Sequence, residues 1–206
     1  MMRPFRCGHS RGHSRGRSRG HSRGQSLVEF AMVVPILMML TLSIAEFGVA
    51  SGTNMALIEA TREGARVGAI LSSGSGNNGL PGCTGAANVD PQIILAVQRV
   101  VESPGSGITL ANIDWVHIFK ASASGGETSV NVWTVGNSSA CGLSLHFTPG
   151  SVGWNASTRT SALPADSLGV SIQYRYRLFT PLSSLAGLFG TSQITMVDST
   201  VMDLEP

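Results

Sequence analysis

From Phe30 to Ala45 the chain carries no charge, and the residues on either side of that run follow different patterns. Before it, from Met1 to Gly24, only Met1, Met2, Pro4, Phe5 and Cys7 depart from a polar, small or basic composition. The stretch from Gln25 to Ala45 is almost wholly apolar, and it supplies the about 20 residues that a bilayer core requires. Beyond Ala45 the apolar positions adopt helical spacing. Phe47, Val49, Met55, Leu57, Ile58, Val67 and Ile70 alternate with Glu46, Glu59, Arg62, Glu63 and Arg66. The pattern predicts one helix from Gln25 to Leu71, about 70 Å long. Residues 25–46 form its membrane-spanning part and residues 47–71 its continuation outside. Pro35 is unfavourable inside a soluble helix but tolerated in a membrane one, where neighbours satisfy the freed carbonyl. Gly48 and Gly52, and again Gly64 and Gly68, have the small-residue spacing that lets helices approach closely.

The remainder, residues 72–206, reads as one extracytoplasmic α+β domain. Ser72 to Asn88 is rich in Gly, Ser and Asn and predicts an exposed loop. Asp90-Pro91 predicts the start of a short helix, with Asp90 as N-cap and Pro91 at the first position. Ile93, Ile94, Val97, Val100 and Val101 give that helix its apolar face, and Pro104-Gly105 ends it. The period then changes to two. Strands are predicted over 108–119, 129–135, 168–179 and 193–202, with Gly125-Gly126 in a loop between the first two. Four strands without long intervening helices imply an antiparallel sheet, and the extended N-terminal helix is available to cover its apolar face.

Charge changes the picture at the N-terminus. Of the 14 basic residues, seven (Arg3, Arg6, Arg11, Arg15, Arg17, Arg19, Arg23) precede Gln25, and none of the 12 acidic residues does. Without residues 1–24 the chain has 7 basic and 12 acidic residues and a formal charge of −5. The basic balance therefore belongs to the leader and implies no nucleic-acid partner for the rest. The leader repeats Gly-His-Ser-Arg from Gly8 to Gly24 with one Arg for His. Its His9, His13 and His21 lack a core to hold them in ligand geometry. Its Arg-Gly composition suits single-stranded nucleic acid, but no folded nucleic-acid module follows. A disordered basic tail held on the cytoplasmic side by the positive-inside rule accounts for it, which places the C-terminal domain outside the cell membrane. Cys7 lies in the leader, leaving Cys83 and Cys141 as an even pair. They either form a disulfide, whose loop closure would add about 3–4 kcal/mol, or stay as two thiols.

The border itself carries the chemistry. Gly24 ends the basic tail, and Glu29 lies at the fifth position after it, inside the apolar segment. A glycine, this spacing and the apolar run together resemble a site for a prepilin peptidase, cutting between Gly24 and Gln25. A carboxylate near a helix start gains from the helix dipole, and in lipid it seeks a cation. The amine freed at Gln25, on its own or a neighbouring chain, would be that cation. The other reading is a glutamate at the membrane edge with no partner.

Three segments carry a family resemblance: Gly24-Gln-Ser-Leu-Val-Glu-Phe-Ala-Met-Val-Val-Pro35, then Ala45-Glu-Phe-Gly48, then Ala60-Thr-Arg-Glu-Gly-Ala-Arg66. The closing segments Tyr174–Leu182 and Ile194–Pro206 extend it. The chain resembles the TadE-like proteins of tight-adherence pilus assembly. The resemblance implies a membrane-anchored minor pilin or pseudopilin of Flp-type pili, without a cofactor, processed by a prepilin peptidase. Its partners would be other pilin and pseudopilin subunits and the assembly machinery. Gly24 then corresponds to the last leader residue and Gln25 to the new N-terminus. Glu29 is the acidic fifth position that sets subunit register, and Phe30 takes the aromatic place beside it.

No catalytic constellation is legible, so the chain does not read as an enzyme. His117 and His146 are not spaced with cysteines or carboxylates as in a zinc site, and there is no Gly-x-Ser-x-Gly elbow or phosphate-binding glycine loop. Trp115 and Trp133 fall on predicted strands, whereas Trp154, in a Gly-Trp-Asn loop, is expected to be exposed. Asn137 and Asn155 open formal glycosylation sequons, and Arg175 and Arg177 share the solvated side of a strand. Two other functions compete with pilus assembly. One is an uncleaved, signal-anchored surface binding protein or adhesin. The other is a secreted domain cut near Gly48-Val49-Ala50.

Overall fold

The computed structural model describes residues 22–71, 85–140, 142–179 and 193–205. The chain divides into two compact units, Met1–Thr41 and Leu42–Pro206. The helix α1 runs over Ser22–Leu71 with Pro35 inside it. In the first unit its apolar side chains are exposed on every side, as in Leu27, Phe30, Met32, Ile36, Met38 and Leu40. Thr41 Oγ1 donates back to the carbonyls of Leu37 at 3.1 Å and Met38 at 2.9 Å.

Among the described residues, the second unit contains α1 from Leu42 onward, α2 (Val89–Val101) and five strands: β1 (Ile113–Ala121), β2 (Glu127–Ala140), β3 (Leu143–Val152), β4 (Ser167–Arg177) and β5 (Gln193–Asp203). The sheet order is β3-β2-β1-β4-β5, and every pairing is antiparallel. The fold class is α+β, as the periodicity implies. The described residues contain one strand more than the sequence pattern predicts. Residues 143–152 carry Leu143, Leu145 and Phe147 at alternate positions, but Pro149-Gly150 interrupts the pattern. Proline is tolerated there because β3 is an edge strand. The first strand also begins later than expected, since Leu110–Asn112 is a single 3-10 turn, and β2 extends beyond its predicted ends.

One face of the sheet is covered by helix. Thr53, Leu57, Ala60, Thr61, Gly64, Ala65, Gly68 and Leu71 line the buried side of α1 at the spacing of an amphipathic helix. Facing them are Ile93 and Val97 of α2 and Leu168 and Val170 of β4, within a core that includes Val116, Ile118, Trp133, Leu145 and Phe147. The two glycine pairs of α1 have different roles. A Cβ on Gly64 would lie 2.7 Å from Val97 Cγ2, and one on Gly68 would lie 2.6 Å from Leu168 Cδ2 and 3.0 Å from Ile93 Cδ1. Gly64 and Gly68 therefore admit the chain's own α2 and β4, and not a second membrane helix as their spacing suggests. Gly48 and Gly52 meet nothing within 4 Å. Gly68→Val is accordingly expected to cost about 1–3 kcal/mol through overpacking. Gly52→Ala should gain about 0.5–1 kcal/mol of helix stability. Thermal unfolding of the two variants in detergent micelles checks the contrast.

Asp90 is not an N-cap. The N-cap of α2 is Asn88, without a side-chain cap bond, and Asp90 sits inside the first turn with Pro91 after it. The cysteine pair, Cys83 and Cys141, lies outside the described residues.

Candidate functional site: the N-terminal segment and a buried glutamate

Gly24, Gln25, Glu29 and Phe30 all lie in the first turns of α1 and are exposed. Helical geometry puts residues four apart on one face, and Gln25 Nε2 donates to Glu29 Oε1 at 3.1 Å. The side chains of Gln25 and Glu29, two of the four residues that the sequence singles out, thus meet. Phe30 is 67% exposed, and Leu27, Val28, Met32 and Val33 around it are exposed as well. A largely apolar exposed surface of this kind marks contact with lipid or with other chains. Glu29 is its single carboxylate. Opening the peptide bond between Gly24 and Gln25 would create an amine one helical turn from that carboxylate.

A second carboxylate of α1, which the sequence reading did not single out, is more deeply placed. Glu46 is 5% exposed. Its Oε1 accepts the Tyr176 hydroxyl at 2.8 Å and the Phe179 N–H at 3.1 Å. Burial first, and the hydrogen bond to Glu46 second, push the Tyr176 hydroxyl up to about 12. The end of β4 is thereby tied to α1 immediately after its uncharged stretch. A signal was present in the sequence: Glu46 is the first charge after sixteen uncharged residues, Phe30 to Ala45. Its partners, 130 and 133 residues away, were not deducible from spacing.

The domain holds further polar clusters. Asp90 accepts from Arg159 Nη2 at 2.6 Å and from Asn131 Nδ2 at 2.6 Å. Asn131 also donates to the Trp154 carbonyl at 2.7 Å, and its Oδ1 accepts the Trp154 N–H at 2.7 Å. The Arg159 side chain is fully buried and lies over the Trp154 ring, 4.6 Å from its centroid. Trp154 is 6% exposed, contrary to the expectation of an exposed loop residue, because this cluster folds its loop inward. Thr61 of α1 binds Asp198 and, at 3.0 Å, Thr200, both on β5. Asp166 receives Lys120 Nζ at 2.5 Å and the Thr160 N–H at 3.1 Å. Burial pushes its carboxyl up, but these two hydrogen bonds outweigh burial and hold it below the usual range.

Of the described residues, His117 and His146 are each engaged with a glutamate. His117 Nδ1 lies 3.0 Å from Glu127 Oε2, with its ring stacked on Trp115, and His146 Nδ1 contacts Glu102. Among the described residues, no group of three His, Cys, Asp or Glu side chains converges as a metal site would need. A groove of about 540 Å³ between α1 and α2 is lined by Glu59, Glu63, Arg66 and Arg99 over Val67, Leu95 and Val100. Glu63 and Arg66 pair there at 2.6 Å. Arg175 pairs with Asp114 at 2.6 Å. These are ion pairs and hydrogen bonds within and between neighbouring elements.

Residues 24–66 match the family model described as TadE-like protein, in agreement with the resemblance carried by Gly24–Pro35, Ala45–Gly48 and Ala60–Arg66. The match starts at the border glycine. No curated protein and no solved structure matches the chain. The matched segment lies within Gly24–Leu71, the part of α1 that is long and apolar enough to cross a membrane.

Proposed function

We propose that the chain is a minor pilin or pseudopilin of tight-adherence, Flp-type pilus assembly. A prepilin peptidase cuts it after Gly24, residues 25–46 anchor it in the cell membrane, and its α+β domain lies on the extracytoplasmic side. The observation that carries this reading is the coincidence of the family match, which begins at Gly24, with the geometry around Glu29. One carboxylate stands a single turn from Gln25 on a helix surface that is otherwise apolar. In an apolar phase such a carboxylate needs a cation, and cleavage supplies one at the required position. The amine of Gln25, on the same or an adjacent subunit, then neutralises Glu29 and sets the axial register between helices.

The same reading accounts for Glu46. Its bonds to Tyr176 and Phe179 hold the start of the second unit's part of α1 against the end of β4. A secretory cut after Ala50 would instead discard Glu46 and leave the Tyr176 hydroxyl and the Phe179 N–H without their acceptor.

The test is intact-mass and N-terminal analysis of the protein from membranes of its native cell. A chain beginning at Gln25 is expected. Retention of the Arg-Gly-His-Ser leader would overturn the proposal in favour of an uncleaved surface binding protein or adhesin. A chain beginning after Ala50 would overturn it in favour of secretion.

A further inference from the structure

Cleavage after Gly24 would leave glutamine as the first residue, and an N-terminal glutamine has a reaction of its own. Its free α-amino nitrogen can attack the side-chain Cδ. A nitrogen–Cδ bond forms, the Cδ–Nε2 bond breaks, and Nε2 leaves as ammonia. The product is a five-membered lactam with no basic nitrogen. No oxidant or further reactant is consumed. The reaction would remove the positive charge that Glu29 needs.

The structure shows what opposes this closure. Lactam formation requires the Gln25 side chain to fold back onto its own nitrogen. Instead, its amide nitrogen points along the helix and donates to Glu29 Oε1 at 3.1 Å, so the leaving nitrogen is held by a residue four positions further on. The side chains of Leu27, Val28, Phe30 and Met32 on the exposed helix surface around the pair are apolar and do not accept from the amide. Glu29 also presents a negative charge to the amine. A carboxylate neighbour favours the protonated amine, which has no lone pair with which to attack. Both effects act in the same direction.

We infer that Glu29 has a second role in the mature chain: it guards the N-terminal glutamine against lactam closure and so preserves the charged amine with which it pairs. This deepens the proposed function and rests on cleavage after Gly24. The residue that needs the cation is then also the one that keeps the cation in existence.

Two measurements separate this inference from the cleavage reading. In the first, the full chain from native membranes is digested and its N-terminal peptide weighed. A peptide beginning with open Gln25 is expected. A peptide already lighter by one ammonia would overturn the guard while supporting cleavage, and an uncut chain would overturn both. In the second, residues 1–24 are replaced by a removable fusion partner whose protease leaves Gln25 first. The wild-type chain is then compared with Glu29→Ala and Glu29→Gln in detergent micelles at neutral pH, following ammonia loss over time. Glu29→Ala should close roughly two- to fivefold faster than wild type, the size given by one i,i+4 hydrogen bond plus an exposed ion pair. Glu29→Gln, which keeps an acceptor but no charge, should fall between them. Equal rates in all three chains would overturn the guard, and this comparison does not depend on how the native cell processes the protein.

Discussion

Asp90→Ala is expected to lower the stability of the domain by about 3–5 kcal/mol, the cost of stripping a buried ion of its partner. Arg159 has a fully buried side chain, and Asp90 is the carboxylate paired with it, at 2.6 Å. Two other nitrogens of the same guanidinium, Nε and Nη1, already lack a protein partner, so the group has little left once Asp90 is removed. The loss should extend to Asn131, which spends one donor on Asp90 and another on the Trp154 carbonyl. At the usual conversion for a domain of this size, the melting temperature falls by roughly 10 °C. The double variant Asp90→Ala with Arg159→Met should recover much of the loss, because the penalty lies in the unpaired charge and not in the missing salt bridge. A single variant costing under about 1 kcal/mol, within the range of an exposed pair, would mean that Arg159 is solvated in the folded protein.

Glu46→Ala is the second large effect. It removes the acceptor of two hydrogen bonds, those from Tyr176 and from the Phe179 N–H, and bonds to a charged group contribute about 1.5–3 kcal/mol each. A loss of about 2–4 kcal/mol is expected after relaxation around the deleted group. Glu46→Gln retains an oxygen at the same place and should lose much less. Hydrogen exchange gives the local readout: the Phe179 amide should lose protection in Glu46→Ala and keep it in Tyr176→Phe. Unchanged protection in Glu46→Ala would show that this tie is absent in solution. The pH dependence has a definite sign. Because the Tyr176 hydroxyl is raised to about 12 in the folded chain from an unfolded value of 10.0, its contribution is complete below pH 10 and is lost as pH rises towards 12. Removal of Glu46 should narrow that window without abolishing it, since burial is the larger cause of the shift.

The elements are largely legible in the sequence. A long uncharged run followed by helical spacing gives α1, and alternation gives β1, β2, β4 and β5, because element type depends on local periodicity. β3 carried the same signal in Leu143, Leu145 and Phe147. It reads as loop only because Pro149 and Gly150 break the run, and its place at the sheet edge makes that break harmless. The candidate site divides in the same way. Gln25 and Glu29 meet four residues apart on one helix, so their pairing follows from spacing alone.

Glu46 was visible as a charge at the end of an apolar run, yet nothing local says that Tyr176 and Phe179 will receive it. Asp90 shows how a local rule is overridden. An Asp-Pro pair suits a helix start, but the carboxylate is claimed by Arg159 and Asn131, which approach only when β2 and the segment after β3 fold against α2. Gly64 and Gly68 have a spacing that fits helix association, and the tertiary structure assigns their space to α2 and β4. Trp154 looks like an exposed loop residue until Arg159 is laid across its ring.

The sequence by itself therefore determined the anchor-length helix, the glycine border, the position of Glu29 and the α+β class, all of which rest on contacts within a few turns or on strand alternation. Only the tertiary structure decided where Glu46 is held, why Asp90 is not a cap, and which surfaces the glycines of α1 admit. Those depend on the strand order β3-β2-β1-β4-β5 and on side chains brought together from distant parts of the chain, and local periodicity carries no record of such pairings.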